Sequence, residues 1–405
     1  MRPHEPAAQA MTLEIGRAGM ALRGVAGDDA AVYAALSGGG SATVEAYRGT
    51  QRAWHTDLPG DGGPLAAGGG VVYAASSERA PLRGDPGALV VALDAATGAK
   101  RWQLAIDSTA WATITCAAAL PDGVVVGGTF AGTLRSGSRV VSTAGESDGF
   151  VARIDARGQL AWLVRLGGSG ADAVQGVAVH GDDTIAIAGT FTAGADLLGF
   201  TLPPFDERSP LADAFVAELD ARGTRRWAAT FGGEASDAVA GVALDAKGRV
   251  VVAATARATV HVGPAELVAQ GTADGLVAWL TPEGEKGPAQ LVGGTEFDGT
   301  SAVASRGERA YVGGFFAGSM QLAGRSLSAT GGDDAYVAAV TPDGDVEAAW
   351  QLGGEGREEL VGLAAIPGGF VAGVAHTAAT AFDGGPALPA PADPMTGAAL
   401  VVRGL

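Results

Sequence analysis

The stretch DGFVARIDARGQLAW, at residues 148–162, returns in altered form as DAFVAELDARGTRRW at 213–227 and as DAYVAAVTPDGDVEAAW at 334–350. Each version has apolar residues at alternate positions, then a turn that contains glycine, then a tryptophan. Alternation with a period of two is typical of a half-buried β-strand, and glycine closes a tight hairpin where a positive φ angle is needed. The stretch therefore predicts a β-hairpin that the chain uses several times.

Three markers measure the repeat. Tryptophan recurs at Trp54, Trp102, Trp162, Trp227 and Trp350. A first acidic row precedes an apolar run at Asp148, Asp213, Asp274 and Asp334, in steps of 65, 61 and 60 residues. A second acidic row follows the Gly-Gly doublets at Asp172, Asp237, Asp298 and Glu358, in the same steps. Because the markers advance together, they indicate one structural unit of about 60 residues.

Each unit is predicted to hold four strands. Within 172–230 the alternating segments are AVQGVAVH, TIAIAGTF, AFVAELD and TRRWAATF. Tight turns join the first segment to the second and the third to the fourth, whereas a long polar stretch joins the second to the third. No window of the chain shows the apolar stripe of a helix. An all-β fold follows.

Counting the strand pairs gives seven units, near 20–57, 65–106, 113–166, 173–230, 238–292, 299–352 and 359–405. The seventh unit stops before its fourth strand, whereas MTLEIG at 11–16 belongs to no unit. We therefore expect this N-terminal segment to complete the last sheet. The predicted fold is a seven-bladed β-propeller of four-stranded antiparallel blades, one domain over 11–405 after a tail at 1–10.

The units over 105–376 resemble the bacterial β-propeller repeat family of the SBBP type. Its pattern is a Gly-Gly doublet, Asp, a strand, D-x-x-G, a second strand, and then D-A-F-V-A-K-L-D-x-x-G-x-x-x-W. ALVVALDAATGAKRW at 88–102 is closer to the PQQ-like propeller repeat. The resemblance implies a propeller fold and a binding or scaffold role, without a particular activity. It brings no cofactor-pocket signature, and we expect no cofactor.

Composition limits the partners. The 405 residues are 47% hydrophobic with 65 Gly, and the formal net charge is −17. A phosphate backbone would be repelled by that charge, so nucleic acid is not an expected partner. The acidity is typical of a soluble protein, or of one that binds a basic protein surface. No apolar run is long enough to span a membrane and no secretory signal begins the chain, which predicts a cytoplasmic protein, or a secreted one if a signal has been trimmed.

The second acidic row opens the inner strands, which line the channel of a propeller. Two interpretations remain open for these four carboxyl groups: they cap backbone amides, or they form an acidic rim that attracts a cation or a basic side chain. The first acidic row is interpreted as backbone caps. The recurring tryptophans are interpreted as packing between blades rather than as a ligand cage.

Residues outside the repeat are the best binding candidates. Trp111 matches no marker and stands next to Ala112, the position at which the second acidic row breaks in the third unit. The long stretch 197–211 contributes Phe205 and Arg208, and the stretches 76–87 and 382–395 are equally individual. Since one face carries these long connections and the other only tight turns, we expect binding at the long-connection face.

Catalytic motifs are lacking. The five histidines are scattered, and GGSGA around Ser169 fails the G-x-S-x-G pattern. GDPG and LPGDGG lack the oxygen density of a calcium loop, and the single cysteine, Cys116, lies in an apolar run. We expect a non-catalytic propeller that acts as a protein-binding scaffold subunit, with no metal. The alternative is a glycan- or cation-binding module, or a propeller hydrolase or lyase, working from an acidic channel mouth.

Overall fold

The computed structural model describes residues 10–15, 19–78, 87–192, 194–205, 211–383, 385, 387–393 and 397–404. Their regular structure consists of 36 β-strands, as the alternation predicts. None of the described residues forms a helix that could cross a membrane. The predicted binding residue Arg208 lies outside the described residues, as do the rest of 206–210 and residues 79–86, 384, 386 and 394–395 of the individual stretches.

Seven sheets form the ring of a propeller, and each of the first four blades is built from one continuous part of the chain. Blade 1 has strands β2 (Ala21–Gly27), β3 (Val32–Gly38), β4 (Ser41–Arg48) and β5 (Gln51–Pro59). Blade 2 has β6 (Asp61–Gly68), β7 (Val71–Glu78), β8 (Gly87–Asp94) and β9 (Lys100–Ser108). Blade 3 has β10 (Trp111–Leu120), β11 (Gly123–Ala131), β14 (Asp148–Asp155) and β15 (Leu160–Leu166). Blade 4 has β16 (Ala173–His180), β17 (Thr184–Phe191), β18 (Asp213–Leu219) and β19 (Arg225–Gly233).

The last three blades close the ring. Blade 5 has β20 (Ala238–Leu244), β21 (Val250–Ala256), β24 (Asp274–Leu280) and β25 (Lys286–Val292). Blade 6 has β26 (Gly299–Arg306), β27 (Arg309–Phe316), β30 (Asp334–Val340) and β31 (Val346–Gly354). Blade 7 has β32 (Glu358–Ile366), β33 (Gly369–His376), β36 (Ala398–Gly404) and β1 (Met11–Glu14). Strand β1 pairs with β36 from Met11 opposite Val402 to Glu14 opposite Ala399, which confirms closure by the N-terminal strand.

The core of the molecule lies between the blades. The described residues form seven hydrophobic clusters, and each one joins two neighbouring blades. The side chains are mostly Val, Ala, Leu and Phe from alternate positions of the strands, because each sheet buries both of its faces against neighbours. Backbone hydrogen bonds therefore hold the strands together mostly within each blade, whereas side-chain packing holds neighbouring blades together.

The recurring tryptophans pack between blades, as predicted. The indole of Trp162 on β15 donates to the carbonyl of Ala221 in the next blade at 2.9 Å, and its ring lies against Gly223 of the same tight turn. Trp54, Trp102 and Trp227 make equivalent bonds of 2.8–3.0 Å to Ala95, Ala156 and Pro282. Burying a large ring is worth about 1.5–3 kcal/mol, so each tryptophan is an anchor between two blades.

The long connections hold a feature that the sequence did not predict. In blades 3, 5, 6 and 7 the stretch between the second and third strands contains a short hairpin: β12 (Thr133–Ser136) with β13 (Arg139–Ser142), β22 (Thr259–Val262) with β23 (Ala265–Val268), β28 (Ser319–Leu322) with β29 (Arg325–Ser328), and β34 (Thr380–Phe382) with β35 (Ala387–Leu388). In blade 4 the equivalent stretch is the short segment around Asp196. We call these five segments straps.

Each strap bonds to the outer strand of the preceding blade. Strand β12 pairs with β9, β22 with β19 and β34 with β31, while Asp196 pairs with Gly167 and Met320 with Gly294. The Gly-Gly doublets lie at this crossing, and a Cβ on Gly233, Gly294 or Gly354 would overlap a backbone carbonyl of the strap. Close approach of two backbones, rather than a sharp turn, is thus what these positions demand of glycine.

Candidate functional site

The two acidic rows meet at four blade junctions. Each member of the second row lies beside the first-row residue 24 positions earlier, giving the pairs Asp148 with Asp172, Asp213 with Asp237, Asp274 with Asp298, and Asp334 with Glu358. All eight residues are at most 6% exposed. The backbone N–H of each second member donates to the carbonyl just before the first member, at 2.7–3.2 Å. We call these the carboxyl pairs.

Burial and hydrogen bonding favour the capping interpretation for two members of the second row. Asp172 accepts backbone N–H bonds from Gly168 at 2.7 Å and from Thr192 at 2.9 Å, so it joins a Gly-Gly doublet to the start of a strap. Asp298 does the same with Ala317 at 2.9 Å and with Gly294 at 2.5 Å. Short acids at these positions satisfy amides that the junction removes from water. The capping interpretation holds for these two, and the second row does not line the channel mouth as a charged arc.

The other two second-row acids are buried without such bonds. Asp237 and Glu358 accept no hydrogen bond of good geometry within the described chain, although the amides of Arg257 and Gly354 lie near them. Burial raises the pKa of Asp237 to about 7. Burial, followed by the charge of Asp334, raises the pKa of Glu358 to about 7. These two acids hold a proton far more readily than an exposed carboxyl group does.

The residue 17 positions after each first-row acid differs from junction to junction, and at two junctions it donates a hydrogen bond to that acid. At the junction of blades 3 and 4 this residue is Arg165, which donates to Asp148 at 2.7 Å. At the junction of blades 6 and 7 it is Gln351, which donates to Asp334 at 2.6 Å. The other two junctions have Thr230 and Leu291 at this position. The four residues can be read in the sequence, but only the structure shows that this position faces a first-row acid.

Cavities accompany two of the junctions. A cavity of about 360 Å³ between blades 6 and 7 is lined by Arg325, Asp334, Gln351 and Asp383. Another, of about 250 Å³, lies between blades 4 and 5 and is lined by Phe205, Asp213, Thr230, His261 and Lys286. Small apolar spaces of about 10 Å³ lie deeper between the blades, one beside Leu166 and Phe215 and one beside Trp350 and Leu360.

The largest of the described cavities, about 670 Å³, opens on the tight-turn face, opposite the face favoured by sequence. Two ion pairs line it: Arg306 bonds Asp29 at 2.8 Å and Arg101 bonds Asp94 at 2.7 Å. Arg48 and Asp28, which also line it, bond the carbonyl of Ala96 and the hydroxyl of Tyr33.

Large apolar side chains are exposed on one side only. Seven described residues are involved: Trp111, Val140, Phe200, Phe205, Leu211, Val268 and Phe297. All seven lie in the long connections of blades 3 to 6 or at their junctions with strands, and none lies in a tight turn. Trp111 is 43% exposed at the start of β10, and Phe205 is 46% exposed with its ring stacked on His261, 4.7 Å between centroids.

The predicted site residues thus occupy separate places. Asp172, Asp237, Asp298 and Glu358 each belong to a different junction, and Trp111 and Phe205 belong to different blades. No three of the described His, Cys, Asp or Glu side chains are grouped so that they could hold a metal ion. Burial raises the pKa of the Cys116 thiol to about 12, in keeping with a core residue rather than a nucleophile.

Comparison with known proteins gives the fold. No family model matches the chain, and no curated protein matches it. Among solved structures, hydrazine synthase of Kuenenia stuttgartiensis is similar over 89% of this chain and 94% of its own, at 9% identity and a TM-score of 0.53. BamB of Moraxella catarrhalis is similar over 98% and 99% of the two chains, at 16% identity and a TM-score of 0.46. With no matching family model, the SBBP resemblance stays a resemblance, and the structural similarity extends to the fold alone.

Proposed function

We propose that this protein is a non-catalytic propeller that binds another protein through the long connections of blades 3 to 6. The observation that carries the proposal is the confinement of all seven exposed large apolar residues of the described chain to those connections. Contiguous or clustered apolar exposure on an otherwise charged surface marks interaction sites, and aromatic side chains contribute most at such sites. A rigid ring that presents varied loops suits this task.

The straps add to the support. Because each strap is bonded to the preceding blade, the exposed side chains on it are held in place before a partner arrives, and less ordering entropy is lost on binding. The net charge of −17 favours a partner with a basic surface. The alternative function at an acidic channel mouth has less support, because the four acids that it would use are buried: Asp172, Asp237, Asp298 and Glu358.

The test compares two triple variants. The first replaces Trp111, Phe205 and Phe297 with serine, and the second replaces the exposed tight-turn residues Asp182, Glu283 and Asp343 with serine. We expect a partner isolated with the wild-type protein from its native source to be lost from the first variant and kept by the second, with both variants unfolding at the wild-type temperature. A partner kept by the first and lost from the second would place binding on the other face.

A further inference from the structure

The junction of blades 3 and 4 shows what kind of group a first-row acid takes. Arg165, on the fourth strand of blade 3, places its guanidinium against Asp148 at 2.7 Å and donates to the carbonyl of Gly167 at 3.2 Å. The buried carboxylate is thereby paired with a cation. Here the chain supplies the occupant itself.

The junction of blades 6 and 7 has the same frame without the cation. Gln351 occupies the place of Arg165, and its neutral amide donates to Asp334 at 2.6 Å. The other oxygen of Asp334 accepts from the backbone N–H of Thr330 at 3.3 Å. No ion pair to Asp334 is formed by the residues the structure describes, and the cavity of about 360 Å³ opens above it.

A second acid lies behind the first. Glu358 is within hydrogen-bond reach of Asp334, it is fully buried, and its oxygens accept no hydrogen bond of good geometry in the described chain, although the amide of Gly354 lies near. Charging both of two buried carboxyl groups in contact costs much free energy unless a cation is close. The junction therefore favours a positive group more strongly than a single surface acid would.

The charged groups around the cavity are already engaged. Arg325, the one described guanidinium that lines it, bonds Asp383 at 2.7 Å and also donates to the carbonyl of Ala349. Beside Asp334, Asp333 is paired with Arg357 at 3.0 Å. Across the sheet, His376 lies opposite Glu358, and its Nδ1 bonds the carbonyl of Ala378 at 2.9 Å. None of these side chains takes the position that Arg165 takes at the other junction.

We propose that the cavity over Asp334 is a binding site for a guanidinium group, which lies against Asp334 beside the amide of Gln351 and neutralises this acid as Arg165 neutralises Asp148 between blades 3 and 4. Planar guanidinium donates two parallel hydrogen bonds to a carboxylate, and Gln351, Thr330 and Asp383 provide further polar contacts at the walls. The site is independent of the exposed apolar residues that carry the proposed function. It takes a guanidinium either from a small molecule or from an arginine side chain of a protein.

Binding at this site is linked to protons. Burial raises the pKa of Asp334 and of Glu358, so the pair retains a proton near neutral pH. A cation in the cavity favours the charged carboxylates and expels that proton, because opposite charge lowers the pKa of an acid. The affinity for guanidinium is therefore expected to rise between about pH 6 and about pH 8.

The experiment titrates the full chain with millimolar N-methylguanidinium chloride and follows binding by calorimetry, with tetramethylammonium chloride as a cation that cannot donate hydrogen bonds. Gln351→Arg supplies the cation internally, so we expect at least about a tenfold loss of affinity with the fold intact. Asp334→Asn should lose binding as well. Arg165→Gln should create a second site between blades 3 and 4, detected as a doubled stoichiometry.

Two further arms identify the source of the group. Tighter binding of agmatine than of a blocked Gly-Gly-Arg-Gly-Gly peptide indicates a small-molecule ligand, and the reverse order indicates an arginine side chain of a partner. Either order supports the site, provided that Gln351→Arg abolishes it. No binding of N-methylguanidinium to the wild-type chain, equal binding to Gln351→Arg, or equal binding of tetramethylammonium would each overturn the proposal.

Discussion

At the scale of single residues, Asp237 shows how the fold uses an acid that it keeps from water. Its side chain is 2% exposed and its two oxygens accept no well-formed hydrogen bond in the described chain, while burial raises its pKa to about 7. The sequence presents Asp237 and Asp172 as equivalents of each other, yet Asp172 is bonded to two amides. Such a difference depends on the local geometry of the loop beside each acid, which a repeat pattern does not encode.

The raised pKa of Asp237 predicts a pH dependence of stability. In the unfolded chain the pKa is about 4, so the protonated acid favours the folded state fully below about pH 4 and this stabilisation is lost as the pH rises through about 7. Asp237→Asn removes the titration while it keeps the shape. Between pH 5 and pH 8 we expect the free energy of unfolding, measured by denaturant titration, to fall by about 2 kcal/mol more in the wild type than in the variant.

The control for this variant is Asp182→Asn, a change of an exposed acid in a tight turn. It should leave the pH dependence as in the wild type. Equal slopes for the wild type and Asp237→Asn would show that Asp237 is charged in the folded protein near neutral pH.

A second residue-scale prediction concerns the glycine beneath a tryptophan. Gly223 has a φ angle of +78°, and a Cβ added to it would lie 3.0 Å from the ring of Trp162. Gly223→Ala is therefore expected to destabilise the protein by about 1–3 kcal/mol, through left-handed backbone strain and displacement of the ring. Urea unfolding measures this. Gly181→Ala, also at positive φ but with open space around it, isolates the backbone contribution.

At the scale of elements, the straps and the strands differ in how well the sequence predicts them. The four strands of each blade could be predicted because alternation and the glycine turns recur at a constant period. The strap hairpins could not, because the segments 133–142, 259–268 and 319–328 share little sequence and their pairing is with a different blade. The carboxyl pairs were visible only as a constant spacing, since burial depends on the strap that covers them.

Because the straps cross so close to the preceding blade, we expect the crossing positions to tolerate only glycine. A Cβ on Gly294 would overlap the carbonyl of Ser319, whereas one on Gly318, which starts the same strap, would meet only the flexible side chain of Glu296. We expect Gly294→Val to separate the strap from blade 5 and to expose Met320, which is buried at the crossing. Amide hydrogen exchange over 317–330 should speed up markedly. Unchanged exchange there would show that the crossing tolerates a side chain.

At the scale of the whole molecule, closure depends on four residues. Strand β1 (Met11–Glu14) is the fourth strand of blade 7, and it supplies the pairing partner of β36 across the point where the two ends of the ring meet. The unpaired MTLEIG segment predicted this closure correctly, because a count of seven units left one strand missing at one end and one extra at the other.

A proline in that strand tests closure. Leu13→Pro removes the backbone N–H that faces Leu400, because the bond from Ile15 to Ala398 places Leu13, two residues earlier, at a bonded position of the β1–β36 pair. We expect the urea midpoint to fall while unfolding stays a single transition, since each blade is stabilised by both neighbours. A midpoint equal to that of the wild type would show that β1 contributes little to the ring.

The crossing of each strap to the preceding blade also has a consequence in time. During synthesis a blade emerges with its outer strand uncovered, and β9, β19 and β31 receive their last pairing partner only when the second strand of the following blade has been made. An uncovered edge strand is a site for pairing with another chain. Blades 3 to 7 therefore each cover part of the outer strand of the blade made before them. A chain whose synthesis halts between blades is left with an unpaired edge strand that can pair with another chain.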